Sequence, residues 1–236
     1  MKRFLKKLVL GIESEHRPPS ANPINKAFDN VISIWNNKNH NDIGIEKLLR
    51  LFLAVAHLLF PGIYIRALFG KNSIIYQELI VDLFVILKLL LPTLLLYTGN
   101  ADIVWLRYLV IWFLLETLLY IPMLIFASDL MERPRSYRRS MILLFVNYLE
   151  IVADFAVIYA AGNYLNISFQ HWYDPIYFSF STFSTVGFGD FYPITGLGKF
   201  FVCCQTIIFF LFVVLFINFY SNKLEQRGYF DRENKA

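Results

Sequence analysis

Four stretches of this chain, residues 74–98, 103–127, 140–161 and 197–220, are long and predominantly apolar. A helix needs about 20 such residues to cross a hydrocarbon core roughly 30 Å thick, and each of the four reaches that length. Inside that core every backbone N–H and C=O must be satisfied within the chain, so the stretches read as helices. Composition agrees, with 57% hydrophobic and 17% charged residues, against about 45–50% and 25% in soluble domains. That excludes an ordinary soluble domain, and 24 Phe, 14 Tyr and 4 Trp exclude a long disordered chain. The expected fold class is an all-α membrane protein, multi-pass in a cell membrane, with the lipid bilayer as its first partner.

The positions of Lys and Arg orient it. Residues 1–48 hold eight, 128–139 hold Arg133, Arg135, Arg138 and Arg139, and the tail 221–236 holds four. Residues 99–102 and 162–198 hold none. The positive-inside rule places the basic segments in the cytoplasm and the two cation-free loops outside, which puts both termini inside. A fifth apolar stretch, 51–70, is broken by Pro61-Gly62 and punctuated by Arg50, His57 and Arg66. Crossing would carry the eight N-terminal cations outside, so it is expected to bend at Pro61 and lie in the cytoplasmic interface. Lys2, Arg3, Lys6 and Lys7 flank too short an apolar run for a signal peptide and suit a basic segment on the membrane surface. Residues 12–48 read as a polar lead-in.

The organisation expected is an N-terminal region 1–73, two peripheral spans within 74–127, a basic linker 128–139, a functional domain 140–221 and a tail 222–236. The net charge of +4 is sorted by side of the membrane and points to no nucleic acid. The adjacent Cys203 and Cys204 lie inside an apolar run and form no disulfide framework or metal-ligand spacing.

The external segment 162–198 carries the chemistry. Asp174-Pro175 signals a helix start, with Asp capping free N–H groups and Pro at the first helical position. A helix over 175–184 is roughly 15 Å long at 1.5 Å per residue, too short to span. It must enter and return as a re-entrant element buried in protein or lining water. Thr185-Val186-Gly187-Phe188-Gly189-Asp190 follows. Glycines at alternate positions tolerate positive φ, so successive carbonyls can turn to one side and replace a cation's hydration shell. The negative C-terminal end of the short helix also favours a cation there. A Gly-x-Gly alone occurs in any tight turn or in a dinucleotide loop. The latter needs a strand before it and a helix directly after it, and the span–short helix–Gly-x-Gly–span context does not supply them.

On these residues, Tyr177 to Pro193 resembles the pore helix and selectivity filter of potassium channels, whose usual filter reads TVGYG followed by Asp. The resemblance covers about residues 138–221: outer helix 140–161, pore helix 175–184, filter 185–190 and inner helix 197–220. It implies that K⁺ is the transported ion, with no organic cofactor. The backbone oxygens of Thr185, Val186, Gly187 and Phe188 would line its path, the Thr185 hydroxyl would form the innermost layer, and Gly189 and Asp190 would shape the external mouth. It further implies a homotetramer, because one loop supplies one quarter of a ring. Phe188 stands where Tyr is usual, which removes a hydroxyl that braces the filter. Residues 199–220 contain no glycine for a hinge. The short tail leaves no expected room for a ligand-sensing domain, so any gating partner is unidentified.

Ile111 to Glu116 resembles the second sensor helix of voltage-gated channels. No span carries Arg or Lys at every third position, so steep voltage gating is not expected. Glu78, Asp82, Lys88, Arg107, Glu116, Glu150 and Asp154 are nevertheless intramembrane and must face protein or water. Glu150 and Asp154 are four apart and share a helix face with Asn147. Lys88 is expected to be the shared cation for Glu116 and for Asp154 or Glu150, docking the peripheral helices. An ion or proton pathway, or a sensor, is the rival reading of that cluster. Asn166-Ile167-Ser168 is a glycosylation sequon by pattern, and His171 an exposed histidine near the outer mouth.

No nucleophile–base pair suggests an enzyme. The expected function is passive, potassium-selective conduction. The alternatives are a weakly selective cation channel, motivated by Phe188, and a non-conducting or regulatory membrane subunit.

Overall fold

The computed structural model describes residues 22–37, 42–69, 74–127, 129 and 137–226. The basic N-terminal segment and most of the 128–139 linker lie outside the described residues. The described residues form eight helices and no strand. In chain order they are α1 (Pro23–Trp35), α2 (Ile45–His57), α3 (Pro61–Phe69), α4 (Ile74–Tyr97), α5 (Val104–Phe126), α6 (Tyr137–Ala160), α7 (Asp174–Phe183) and α8 (Gly196–Gln226). Two compact units divide the chain, one up to Phe84 and one from Val85, so the boundary falls within α4.

In the first unit, α1 occupies part of what composition marked as a polar lead-in. Asn22 accepts a hydrogen bond from the Ile24 N–H at 3.2 Å, and Pro23 opens the helix, as both residues favour at a helix start. Ala27 and Ile34 turn inward, while Phe28, Ile32 and Trp35 stay exposed. Helices α2 and α3 meet at 54°. The break lies at residues 58–60, just before Pro61, which opens α3; a proline is tolerated there because a first-turn N–H has no helical partner. Arg50, read from sequence as a polar interruption, is buried against Asp42 at 3.1 Å.

Four helices are long and apolar enough to cross a membrane: Glu78–Tyr97 in α4, Val104–Phe126 in α5, Arg138–Ala160 in α6 and Gly196–Ile217 in α8. The bent α2–α3 pair would be a fifth if it acted as one span. The chain is a multi-pass membrane protein. Arg138 and Arg139, expected in the linker, sit in the first turn of α6, and α8 continues to Gln226, beyond the inner-helix end expected at 220.

The second unit is built around α6. Its residues 150–159 are all buried, the apolar ones together with Glu150 and Asp154. One side meets Leu95 and Leu96 of α4 and Val110 of α5, through Ala156 and Val157. The other joins Ile151, Phe155 and Tyr159 to Phe178 and Phe183 of α7 and to Ile208, Phe212 and Leu215 of α8. The Tyr148 ring lies 4.8 Å from Phe183 and 5.8 Å from Phe212. The short helix α7 is thereby wedged between α6 and α8, the position a re-entrant element requires if its ends are not to meet lipid.

Candidate ion-conduction site

Helix α7 spans Asp174–Phe183, one residue earlier at each end than the spacing suggested. Asp174 does not cap it. Its Oδ2 turns back to accept the N–H groups of Gln170 and His171, both at 2.8 Å, and so fixes the turn that delivers the chain into α7. His171 is exposed, with Nδ1 3.6 Å from that carboxylate.

The C-terminal turn of α7 leads into the loop 185–190 and holds it from behind. Thr185 N–H donates to the Thr182 carbonyl at 3.1 Å, and Val186 and Gly187 N–H both donate to the Ser181 carbonyl at 3.0 and 3.3 Å. Thr185, Gly187 and Gly189 have φ of +59°, +56° and +84°. Val186 and Phe188 do not share the positive sign. Left-handed residues thus alternate with ordinary ones, the backbone pattern that turns successive carbonyls to one side. Thr185 adopts this conformation at a cost glycine avoids, of order 1–2 kcal/mol. The hydrogen bond from its N–H to Thr182 and the two from its successors' N–H groups to Ser181 hold it there.

Beyond the loop, the Asp190 carboxylate accepts the N–H of Phe191 at 3.0 Å. The Tyr177 hydroxyl of α7 lies near Asp190; loss of hydration and that carboxylate raise the Tyr177 pKa, so the hydroxyl keeps its proton. The Tyr177 ring stacks on Phe188 with centroids 5.9 Å apart and planes 9° from parallel. A tyrosine on the helix therefore braces the loop through a ring contact, where residue 188 itself has no hydroxyl to offer.

Asn166, singled out in the sequence as a sequon, is engaged at both ends of its side-chain amide. Its Nδ2 donates to the Asp190 carbonyl at 3.1 Å, and its Oδ1 accepts the Tyr192 N–H at 2.8 Å. Its own N–H donates to the Tyr192 carbonyl at 3.0 Å. It clamps the chain leaving the loop to the chain entering α7.

A second clamp was not visible in the sequence. Ser179, Gln205 and Tyr159 are fully buried. Ser179 Oγ donates to the Val152 carbonyl of α6 at 2.6 Å. Gln205 Nε2, on α8, donates to Ser179 Oγ at 2.8 Å and to the Ser179 carbonyl at 3.0 Å. Tyr159 Oη, on α6, donates to Gln205 Oε1 at 2.8 Å. The three long-range partners bind α7 to both flanking helices, and such a closed polar network in an apolar surrounding fixes one geometry. Ser, Gln and Tyr facing inward on three neighbouring helices are the only sequence signal that could have suggested it.

The buried charge cluster lies on the opposite side of α6. Lys88 Nζ is 2.9 Å from Glu150 Oε1 and 3.5 Å from Glu116 Oε2. It also donates to Thr117 Oγ1, which in turn donates to Glu150 Oε1 at 2.9 Å. Of the two acids left open as partners, Glu150 receives the lysine. Asp154, 1% exposed, has no hydrogen-bonding partner for either oxygen among the described residues.

Residues 141–226, covering most of α6, all of α7, the loop and α8, match the family model described as ion channel. No curated protein and no solved structure matches the chain. The last three described helices and the loop between them thus carry an ion-channel domain, the part of a chain that forms a pore.

Proposed function

We propose that the ion-channel domain in residues 141–226 makes this chain one subunit of a potassium-selective channel, with loop 185–190 as its filter. The observation that carries the reading is the backbone of that loop. Left-handed residues at Thr185, Gly187 and Gly189 alternate with Val186 and Phe188, and the N–H groups of Val186 and Gly187 are tied back to Ser181. N–H groups committed to the rear leave the carbonyls of Thr185, Val186, Gly187 and Phe188 to replace the hydration shell of K⁺. The C-terminal end of α7 adds its partial negative charge at the base of the loop. Transport is passive, down the electrochemical gradient.

A single copy cannot encircle an ion, and the functional unit in this reading is the homotetramer that the resemblance to potassium channels implies. In one protomer Val186 and Phe188 are exposed, as are Phe200, Ile207, Phe210, Val214 and Ile217 along α8. Spacings of seven, three, four and three residues put that stripe on one face of α8. Four copies around an axis, together with lipid, cover such surface. The cytoplasmic placement of both termini and the interfacial placement of α2 and α3 belong to the same reading. Phe52 and Val55 of α2, Leu59 of the break and Leu68 of α3 are exposed and apolar, which fits a helix pair lying in a lipid interface.

The test is Rb⁺ uptake into proteoliposomes holding the purified chain alone. Barium-sensitive uptake is expected from the wild type and its loss in Gly187→Ala. No uptake by the wild type, or equal uptake by both, would refute a self-sufficient channel.

A further inference from the structure

The charge cluster behind α6 is out of balance. Glu116, Glu150 and Asp154 contribute three carboxyls, and Lys88 is the one cation acting on Glu150 and Asp154. Lys88 reaches them from α4, Glu116 from α5, and neither α7 nor α8 places a charged group among those acting on the pair. Lys88 is 4% exposed, Glu150 0% and Asp154 1%. An isolated buried carboxylate is so costly that it takes up a proton instead.

Lys88 and Thr117 both occupy Glu150 Oε1, while Glu150 Oε2, both Asp154 oxygens and Asn147 Oδ1 are buried acceptors with no hydrogen-bonding partner among the described residues. Asp154, buried with both carboxyl oxygens unpartnered one turn from the charged Glu150, is the group in this cluster that lacks a hydrogen. Asp154 is already closed off within one protomer, so neither a lipid headgroup nor a partner subunit reaches it. No group of three or more His, Cys, Asp or Glu among the described residues is arranged to hold a metal ion. A proton needs no cavity and neutralises the Asp154 carboxylate.

We propose that Asp154 and Glu150 form a proton-binding pair on the outer helix of the ion-channel domain, with the proton held on the Asp154 carboxyl. The step is Asp154–COO⁻ plus H⁺ giving Asp154–COOH, which removes one of two like charges one turn apart on the helix. Glu150 keeps its charge opposite Lys88. The protonated pair is the form in which α4 and α5 rest on α6. Its deprotonation sets two like charges four residues apart in a buried site, so the docked state is lost as pH rises.

The experiment is a pH titration of the reconstituted full chain by infrared difference spectroscopy, with thermal unfolding followed over the same range. The wild type is expected to show the carbonyl band of a protonated carboxylic acid that bleaches on alkalinisation. Isotope labelling of the aspartate carboxyls should shift this band. One proton held only by the folded form makes the unfolding equilibrium of each subunit change by up to about tenfold per pH unit, with stability falling as pH rises. Asp154→Asn, which copies the neutral form, should fold, lack the band and lose that pH dependence. A wild type without the band, a band unmoved by aspartate labelling, or an Asp154→Asn variant that titrates like the wild type overturns the proposal. If that variant does not fold, Asp82→Asn, which removes the other intramembrane aspartate, decides the matter: it should keep the labelled band, and losing it overturns the proposal. Neither readout requires ion flux, so a failure of the potassium-channel reading shows separately, as absent Rb⁺ uptake.

Discussion

Gln205→Met tests whether the Tyr159–Gln205–Ser179 network holds the short helix α7 in place. Methionine is close to glutamine in length and apolar, so the core stays filled. The Tyr159 hydroxyl loses its acceptor at 2.8 Å in a site with no exposure. Ser179 does not become an orphan, because its Oγ still donates to the Val152 carbonyl. The expected loss is therefore dominated by one buried unsatisfied hydroxyl, about 1–3 kcal/mol. Tyr159→Phe leaves the mirror-image defect, an unsatisfied Gln205 Oε1, with a cost in the same range. The double variant removes both halves, so its cost should fall short of the sum by about 1–3 kcal/mol, within the range seen for contacting pairs. The assay is chemical unfolding of the four chains in detergent, followed by tryptophan fluorescence and evaluated as a double-mutant cycle. Additivity within about 0.5 kcal/mol would refute the reasoning, since that is the behaviour of independent sites.

Lys88→Met leaves Glu150 buried beside no cation and should cost about 3–5 kcal/mol, read as lost thermal stability of the assembly in detergent; Lys88→Met with Glu150→Gln should recover most of it. Gly187→Ala meets open space around its new Cβ, so its cost is the backbone's alone, about 1–2 kcal/mol, and the protein should assemble yet lose Rb⁺ uptake. Asn166→Ala releases the Asp190 carbonyl and the Tyr192 N–H together and should lower both the unfolding midpoint and barium-sensitive uptake, whereas Asn166→Asp keeps the bond from Tyr192 and should be milder in both assays. Tyr177→Phe retains the ring contact with Phe188 and should leave barium-sensitive uptake close to wild type, while Tyr177→Ala loses that contact and should impair it.

The four spans and the re-entrant element were legible because length, hydropathy and a short Asp-Pro-started helix each obey a one-dimensional rule. Helix α1 falls where composition suggests only a polar lead-in. Asn22-Pro23 and the spacing of Ile24, Ala27, Phe28, Val31 and Trp35 mark an amphipathic helix there. What the sequence could not show depends on rotation and distance. Glu150 and Asp154 share a helix face, but which of them Lys88 reaches depends on how α4 is turned against α6. Asn166 lies 24 residues before Asp190 in the chain, and Gln205 lies 46 after Tyr159, so no local pattern links them. Asp174 illustrates a local rule losing to context: a good cap by type, it serves the turn before the helix because Gln170 and His171 present two amides there.

The central claim is that loop 185–190 selects K⁺ by its carbonyls. The most direct measurement is the reversal potential of the purified chain in a planar bilayer, with K⁺ on one side and Na⁺ on the other. The structure of the loop predicts a barium-blocked current that reverses far toward the K⁺ equilibrium potential. A current reversing near the Na⁺ equilibrium potential, or at zero with equal concentrations on the two sides, would contradict it.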